Sequence, residues 1–169
     1  MKIETLSTKR RVLLAKTLVF IQFLILGIIG VDCLTKVSKS QHSYLAMEIV
    51  SISLGILIIS SAALILKPSL RISPIPKSNA PLISSGIYRY VRHPMYLGVI
   101  LIGFGMAGYA DSVLGWIAEM LLILELNIKA RFEDALLCEI HPESVHYQLH
   151  VSRLLPCVGG SCRTNCITE

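Results

Sequence analysis

Apolar positions in this chain come in long runs, without the one-sided stripe of a surface helix or the alternation of a strand. Residues 12–31 are apolar except for Lys16 and Gln22. Lys16 lies close enough to the end of the run for its stem to carry the ammonium to the headgroups, so the run reads as a first membrane span. The basic residues Lys9, Arg10 and Arg11 precede it as they would in a signal peptide. Val31-Asp32-Cys33-Leu34, however, offers no small-x-small cleavage pattern and further spans follow, so the segment is expected to be retained. Residues 49–66 carry no charge and are bounded by Glu48 and Lys67-Pro68, which makes a second span. Its Ser51, Ser53, Gly55, Ser60, Ser61, Ala62 and Ala63 are small enough to let a neighbouring helix come close. Residues 95–128 are apolar again, with a break at Tyr109-Ala110-Asp111. One helix of that length would overshoot a hydrocarbon core of about 30 Å, so the pattern predicts a hairpin of two short spans.

Composition agrees with this count. Of 169 residues 53% are hydrophobic and only 16% charged, one domain's worth of chain and too apolar for an ordinary soluble fold. The net charge of +5 is spread between the apolar runs instead of forming a patch, which argues against a nucleic-acid partner. Fourteen of the sixteen Lys and Arg residues fall before the first span or early in it, between the second and third, or after the fourth. Only Lys36 and Lys39 fall on the other side, so the positive-inside rule places both termini in the cytoplasm. The expectation is an all-α integral membrane protein of four transmembrane helices, the last two a hairpin, with a short amphipathic C-terminal helix over 144–151. Residues 1–11 form a cytoplasmic N-terminus, 12–66 a two-helix region, 67–156 a core of loop, hairpin and C-terminal helices, and 157–169 a mobile tail.

Candidate chemistry gathers at the entry to the third span, Ser85-Gly86-Ile87-Tyr88-Arg89-Tyr90-Val91-Arg92-His93-Pro94-Met95-Tyr96-Leu97-Gly98. Arg92, His93 and Tyr96 supply a fixed cation, a group titrating near neutrality and a phenol. Pro94 suits the first turn of a helix, whose opening N–H groups favour negative charge. A basic interfacial loop with Tyr anchors has the same composition. After the hairpin, Glu125, Lys129 and Glu133 share a helix face at i, i+4 and i+8. From spacing alone this is an exposed ladder of ion pairs worth about 0.3–0.5 kcal/mol each. A closed hairpin would instead bring Glu133 to the His93 loop.

The order S-G-I-Y-R-Y-V-R-H-P-M-Y-L-G, an apolar hairpin, K-x-R-x-E-D-x-x-L, a P-E turn and V-S-R-L-L-P resembles the isoprenylcysteine carboxyl methyltransferase and phospholipid methyltransferase group of integral membrane enzymes. The resemblance runs over residues 80–156 and is most specific in the RHPxYxG element. It implies S-adenosylmethionine as cofactor, contacted by the stretch Ala80, Pro81, Leu82 and Ile83, by Tyr88, by His93, Pro94, Met95 and Tyr96, and by Glu133. The family's substrate-orienting Arg falls on Lys129, with Arg131 as a substitute. Three departures touch the acceptor more than the cofactor: Asp134 is the shorter second acid of a Glu pair, Lys129 lacks the guanidinium fork, and Ala80 replaces a frequent His. A carboxylate acceptor needs a cation such as Lys129 or Arg131 and no base, whereas an amine must lose a proton, for which His93 and Glu133 are the candidates. The resemblance thus implies methyl transfer at the cytoplasmic face of an endoplasmic reticulum or prokaryotic plasma membrane. The acceptor would be lipophilic, foremost the carboxyl of an isoprenylcysteine or other prenylated substrate. Its alternatives are phospholipid N-methylation, a lipid or terpenoid reductase, and a non-catalytic scaffold.

Glu119 sits mid-span, where an ionisable side chain faces the bundle interior and serves either function or structure. His141, His146 and His150 lack a completing ligand set, so no metal is expected. Cys166 stands four from the end, but Thr168 and Glu169 match a prenylation box poorly.

Overall fold

The computed structural model describes residues 8–36, 45–66, 83–142 and 144–155. Four long helices, α1 (Thr8–Lys36), α2 (Leu45–Leu66), α3 (Pro94–Ala110) and α4 (Val113–Ile140), are joined by a 3-10 turn at Gly86–Arg89 and followed by a short α5 (Ser144–His150). No named strand occurs among the described residues. Ala80, Pro81, Leu82 and the tail over 157–169 lie outside them.

Helices α1 and α2 are long and apolar enough to cross a bilayer. Helix α1 runs from Thr8 to Lys36, longer at both ends than the apolar run that predicts it. Helix α3 is apolar but only 17 residues long, about 26 Å at 1.5 Å per residue. Helix α4 carries Glu119, Glu125 and Lys129 along its first five turns.

The break between α3 and α4 falls where the pattern predicts it. Asp111 adopts the left-handed conformation (φ 45°, ψ 47°) and donates its N–H to Ala107 and Gly108, closing α3. Ser112 opens α4 by accepting the Gly115 N–H at 2.9 Å, and its hydroxyl donates to the Asp32 carboxylate at the end of α1.

Helix pairs α2/α3, α3/α4 and α1/α4 pack antiparallel, while α1 and α3 run in the same direction, Gly30 facing Met106 near their far ends. The tightest contact joins α2 to α3, where two glycines remove the side chains that would hold the helices apart. A Cβ at Gly98 would lie 2.7 Å from the Gly55 carbonyl, and one at Gly55 would lie 2.6 Å from the Gly98 carbonyl. Ser51 then donates to the Leu101 carbonyl at 2.7 Å, so the small residues of α2 bring two backbones into register. Helix α1 lies along α4: Arg11 pairs with Glu139 at one end, Ala15 packs with Phe132 and Leu136, Ile25 and Ile29 pack with Ala118, Leu122 and Leu126, and Asp32 meets Ser112 at the other end. From Arg11 to Asp32 this seam is about 31 Å long, the thickness of a bilayer core. The start of α1, the 3-10 turn, the start of α3, the end of α4, and α5 all meet at one end of the bundle.

Candidate active site

Sequence alone predisposes the loop end for a site. Gly86 takes φ +60°, and a Cβ there would lie 2.4 Å from Ile65 Cδ1, so a larger residue would push the turn off the end of α2. The turn delivers Tyr88 into the interior and leads into residues 91–93, which lie outside any helix. That piece is held from far along the chain: Val91 and Ser152 form an isolated parallel bridge, the Arg92 N–H donates to the Ser152 carbonyl at 2.9 Å, and the His93 N–H to the Arg153 carbonyl at 3.0 Å. Pro94 then starts α3 at the position where its missing N–H costs nothing.

His93 is the centre of the arrangement. Its Nε2 lies 2.9 Å from Asp134 Oδ1 and its Nδ1 3.3 Å from Glu133 Oε2, so one ring bridges both acids of the far helix. Burial alone would favour the neutral ring. The bonds to Asp134 and then Glu133 outweigh it and push the His93 pKa up to about 9, so both nitrogens are donors at neutral pH. The neighbouring Tyr96 stacks on His93 with ring centroids 5.3 Å apart, and its hydroxyl donates to Glu133 Oε1 at 2.6 Å.

Asp134 is the most heavily bonded acid. Besides His93, its Oδ2 accepts from Arg153 Nε at 2.8 Å and forms an ion pair with Arg92, whose Nη1 lies 3.1 Å away, and its backbone carbonyl accepts from Gln148 Nε2 at 3.0 Å. Burial would raise its pKa, but the bond and charge of His93, with Arg92 and Arg153, hold the carboxyl below the usual range. Tyr88 lies within electrostatic reach of Glu133. Burial first and then that charge raise its phenol to about 12, and its carbonyl accepts the Tyr147 hydroxyl. Glu133 remains partly open to solvent, its side chain 21% exposed.

Helix α4 holds the remaining residues differently from a surface ladder. Lys129 is 3% exposed and Glu125 6% exposed, because α1 covers that face. Lys129 Nζ donates to Gln22 Oε1 at 2.6 Å and sits 4.9 Å from the Tyr96 ring centroid. Arg131, the other cation named from the sequence, is exposed on the opposite side of the helix. Tyr88, His93, Pro94, Met95, Tyr96 and Glu133 thus come together with Lys129, while Ile83 opens the described loop leading into them. Gln22 and Gln148 were not legible as site residues, because isolated amides that make their contacts across 107 and 14 residues of chain carry no local pattern. Ser152 and Arg153 stand in the V-S-R-L-L-P stretch of the resemblance, which assigned them no role in the site.

A family model described as phospholipid methyltransferase matches residues 45–144, well over half of the chain. The protein belongs to that family. No curated protein and no solved structure matches the chain. The matched stretch of this membrane methyltransferase takes in α2, which the motif resemblance did not reach, and stops at the start of α5. Ser152 and Arg153 therefore reach the site from beyond the matched stretch.

Proposed function

We propose that the protein transfers a methyl group from S-adenosylmethionine to the amine headgroup of a membrane lipid, at the loop end of the bundle and on the cytoplasmic side. The observation that carries the cofactor reading is the His93–Tyr96–Glu133–Asp134 network joining the two legs of the hairpin. Its chemistry fits the cofactor's polar groups. The partly open Glu133 suits an ammonium and ribose hydroxyls, the opening turn of α3 with Met95 suits a carboxylate, and Tyr88 with the Ile83 loop offers an apolar and aromatic wall. When bound, the cofactor supplies an electrophilic methyl on a sulfonium that departs as a neutral thioether.

What remains for the protein is alignment and the handling of one proton. His93 is already protonated at neutral pH, which removes it as a base and makes it the clamp that fixes Glu133. Asp134 is saturated by three cations and serves the clamp in turn. The acceptor's proton is therefore left to a carboxylate outside that clamp or to water.

Two observations favour an amine over the isoprenylcysteine carboxyl foremost in the motif resemblance. The cation that would orient a carboxylate, Lys129, is buried and engaged by Gln22, and Arg131 points away. The matching family model is that of the phospholipid enzymes. The cytoplasmic placement rests on the basic residues Arg10, Arg11, Arg89, Arg92, Arg131 and Arg153 at the loop end, against Lys36 at the other. By the same reading α3 and α4 cross the membrane with α1 and α2, giving four spans.

The test is calorimetric titration of the solubilised protein with S-adenosylhomocysteine, followed by methyl transfer to amine-headgroup and prenylcysteine acceptors. Binding that Glu133→Ala weakens at least about tenfold supports the cofactor site. A folded wild type that binds none would leave the reductase or scaffold, and transfer to prenylcysteine alone would return the carboxyl acceptor.

A further inference from the structure

Inside the bundle, one turn of α4 from Lys129, lies a carboxylate that the network above does not use. Glu125 precedes Lys129 by four residues, the order in which an intrahelical ion pair forms most readily. The pair is not made. Lys129 Nζ donates to Gln22 Oε1 at 2.6 Å and rests over the Tyr96 ring, 4.9 Å from its centroid. Both Glu125 oxygens are left buried with no hydrogen-bond partner among the described residues. Glu125 nevertheless lies within electrostatic reach of Tyr96, Lys129 and Glu133, so it belongs to the same polar interior as the candidate active site.

A buried carboxylate without donors costs several kcal/mol, and the remedy, a turn of the Lys129 side chain, is at hand. A fold that keeps the acid unpaired while holding its natural partner elsewhere has a use for the unpaired acid. We propose that Glu125 binds the acceptor amine, its carboxylate receiving the headgroup N–H groups beside Lys129 and Tyr96, and that Gln22 is a positioning residue that keeps the Lys129 ammonium off this carboxylate. Glu125 lies two turns, about 12 Å, inside Glu133 along α4, so the acceptor subsite is deeper in the bundle than the cofactor subsite. This assignment rests on the amine reading given above and adds the residues that select the amine.

The experiment uses full-length protein in nanodiscs containing phosphatidylethanolamine as the amine probe, with methyl transfer measured against lipid fraction. Glu125→Gln keeps the shape and removes the charge. It is expected to raise KM for the amine lipid about tenfold, with kcat within a few-fold and the Kd for S-adenosylhomocysteine unchanged. Gln22→Leu releases Lys129 to pair with Glu125 and is expected to raise KM in the same way, although Gln22 itself touches no substrate. The double variant is expected to be no worse than Glu125→Gln alone, because both changes remove the same free carboxylate. An unchanged KM in Glu125→Gln, or additive losses in the double variant, would overturn the assignment. If Glu125→Gln does not fold, Gln22→Leu carries the test, and a wild-type KM there overturns the proposal. A wild type that binds S-adenosylhomocysteine but methylates no amine lipid would defeat the amine reading and the assignment with it. A wild type that binds no S-adenosylhomocysteine would instead defeat the cofactor reading.

Discussion

His93 does with one ring what two separate cations would otherwise do, because charging it turns both nitrogens toward acids. Its contribution to the fold is therefore pH-dependent. The ring gains its bonds to Asp134 and Glu133 only when protonated, so that stabilisation is complete below about pH 6.5 and disappears as pH climbs through about 9. Arg92 and Arg153, which face Asp134 from the other side, stay charged across this range. A melting-temperature profile from pH 6 to 10 should fall along an alkaline limb worth on the order of 2 kcal/mol. The limb should be absent in His93→Gln. Asp134→Ala is a harsher change, since it strands the Arg92 guanidinium, 2% exposed, without its carboxylate. It should cost about 3–5 kcal/mol in chemical denaturation. The sequence singled out His93, Tyr96 and Glu133 because they stand in a recognisable order, and the structure joins their side chains. It marked Asp134 only as the shorter second acid of a Glu pair, because nothing local reveals that Arg92, Arg153 and His93 converge on that one carboxylate. Likewise, Lys129 reads as a substrate cation until Gln22, 107 residues away, is seen to hold it.

At the scale of helices, glycine sets the distances. Gly103 of α3 faces Glu119 of α4, and a Cβ there would lie 2.1 Å from Glu119 Oε2, so the absent side chain is the space the carboxyl occupies. Glu119 is fully buried, and neither oxygen has a hydrogen-bond partner among the described residues. Gly103→Ala should therefore destabilise the protein by about 1–3 kcal/mol, and Glu119→Ala in the same chain should recover much of that loss, a coupling that a double-mutant cycle reads directly. Glu119→Leu alone, with Gly103 kept, should leave stability unchanged or raise it, because it exchanges an unsatisfied buried carboxyl for an apolar group of similar size. The helices themselves were legible: the Tyr109-Ala110-Asp111 break and the start at Pro94 appear as the pattern predicts, while α1, α2 and α4 run past the ends of their apolar runs. Which face of α4 would be covered was not legible, because Glu125, Lys129 and Glu133 have the same spacing whether water or α1 lies beside them.

For the molecule as a whole, the antiparallel seam of α1 and α4 separates two ends. Cys138 lies at the loop end with the site, and Cys33 at the other with Asp32 and Ser112. In variants retaining one cysteine each, a membrane-impermeant thiol reagent added outside intact cells or sealed vesicles of native orientation should label Cys33 and spare Cys138. The reverse pattern would place the site on the far side of the membrane. The basic residues let this orientation be proposed from the sequence, since charge asymmetry needs no knowledge of packing.

The clasp of residues 152 and 153 on residues 91–93 also imposes an order of events on synthesis. The loop and the start of α3 are translated some sixty residues before Ser152, an interval of roughly 3–12 s at ordinary elongation rates. Through that interval the segment at Val91 and Arg92 has no partner to define it. The site is thus completed late in synthesis, and a nascent chain arrested before Ser152 lacks the backbone partner that holds its loop in place.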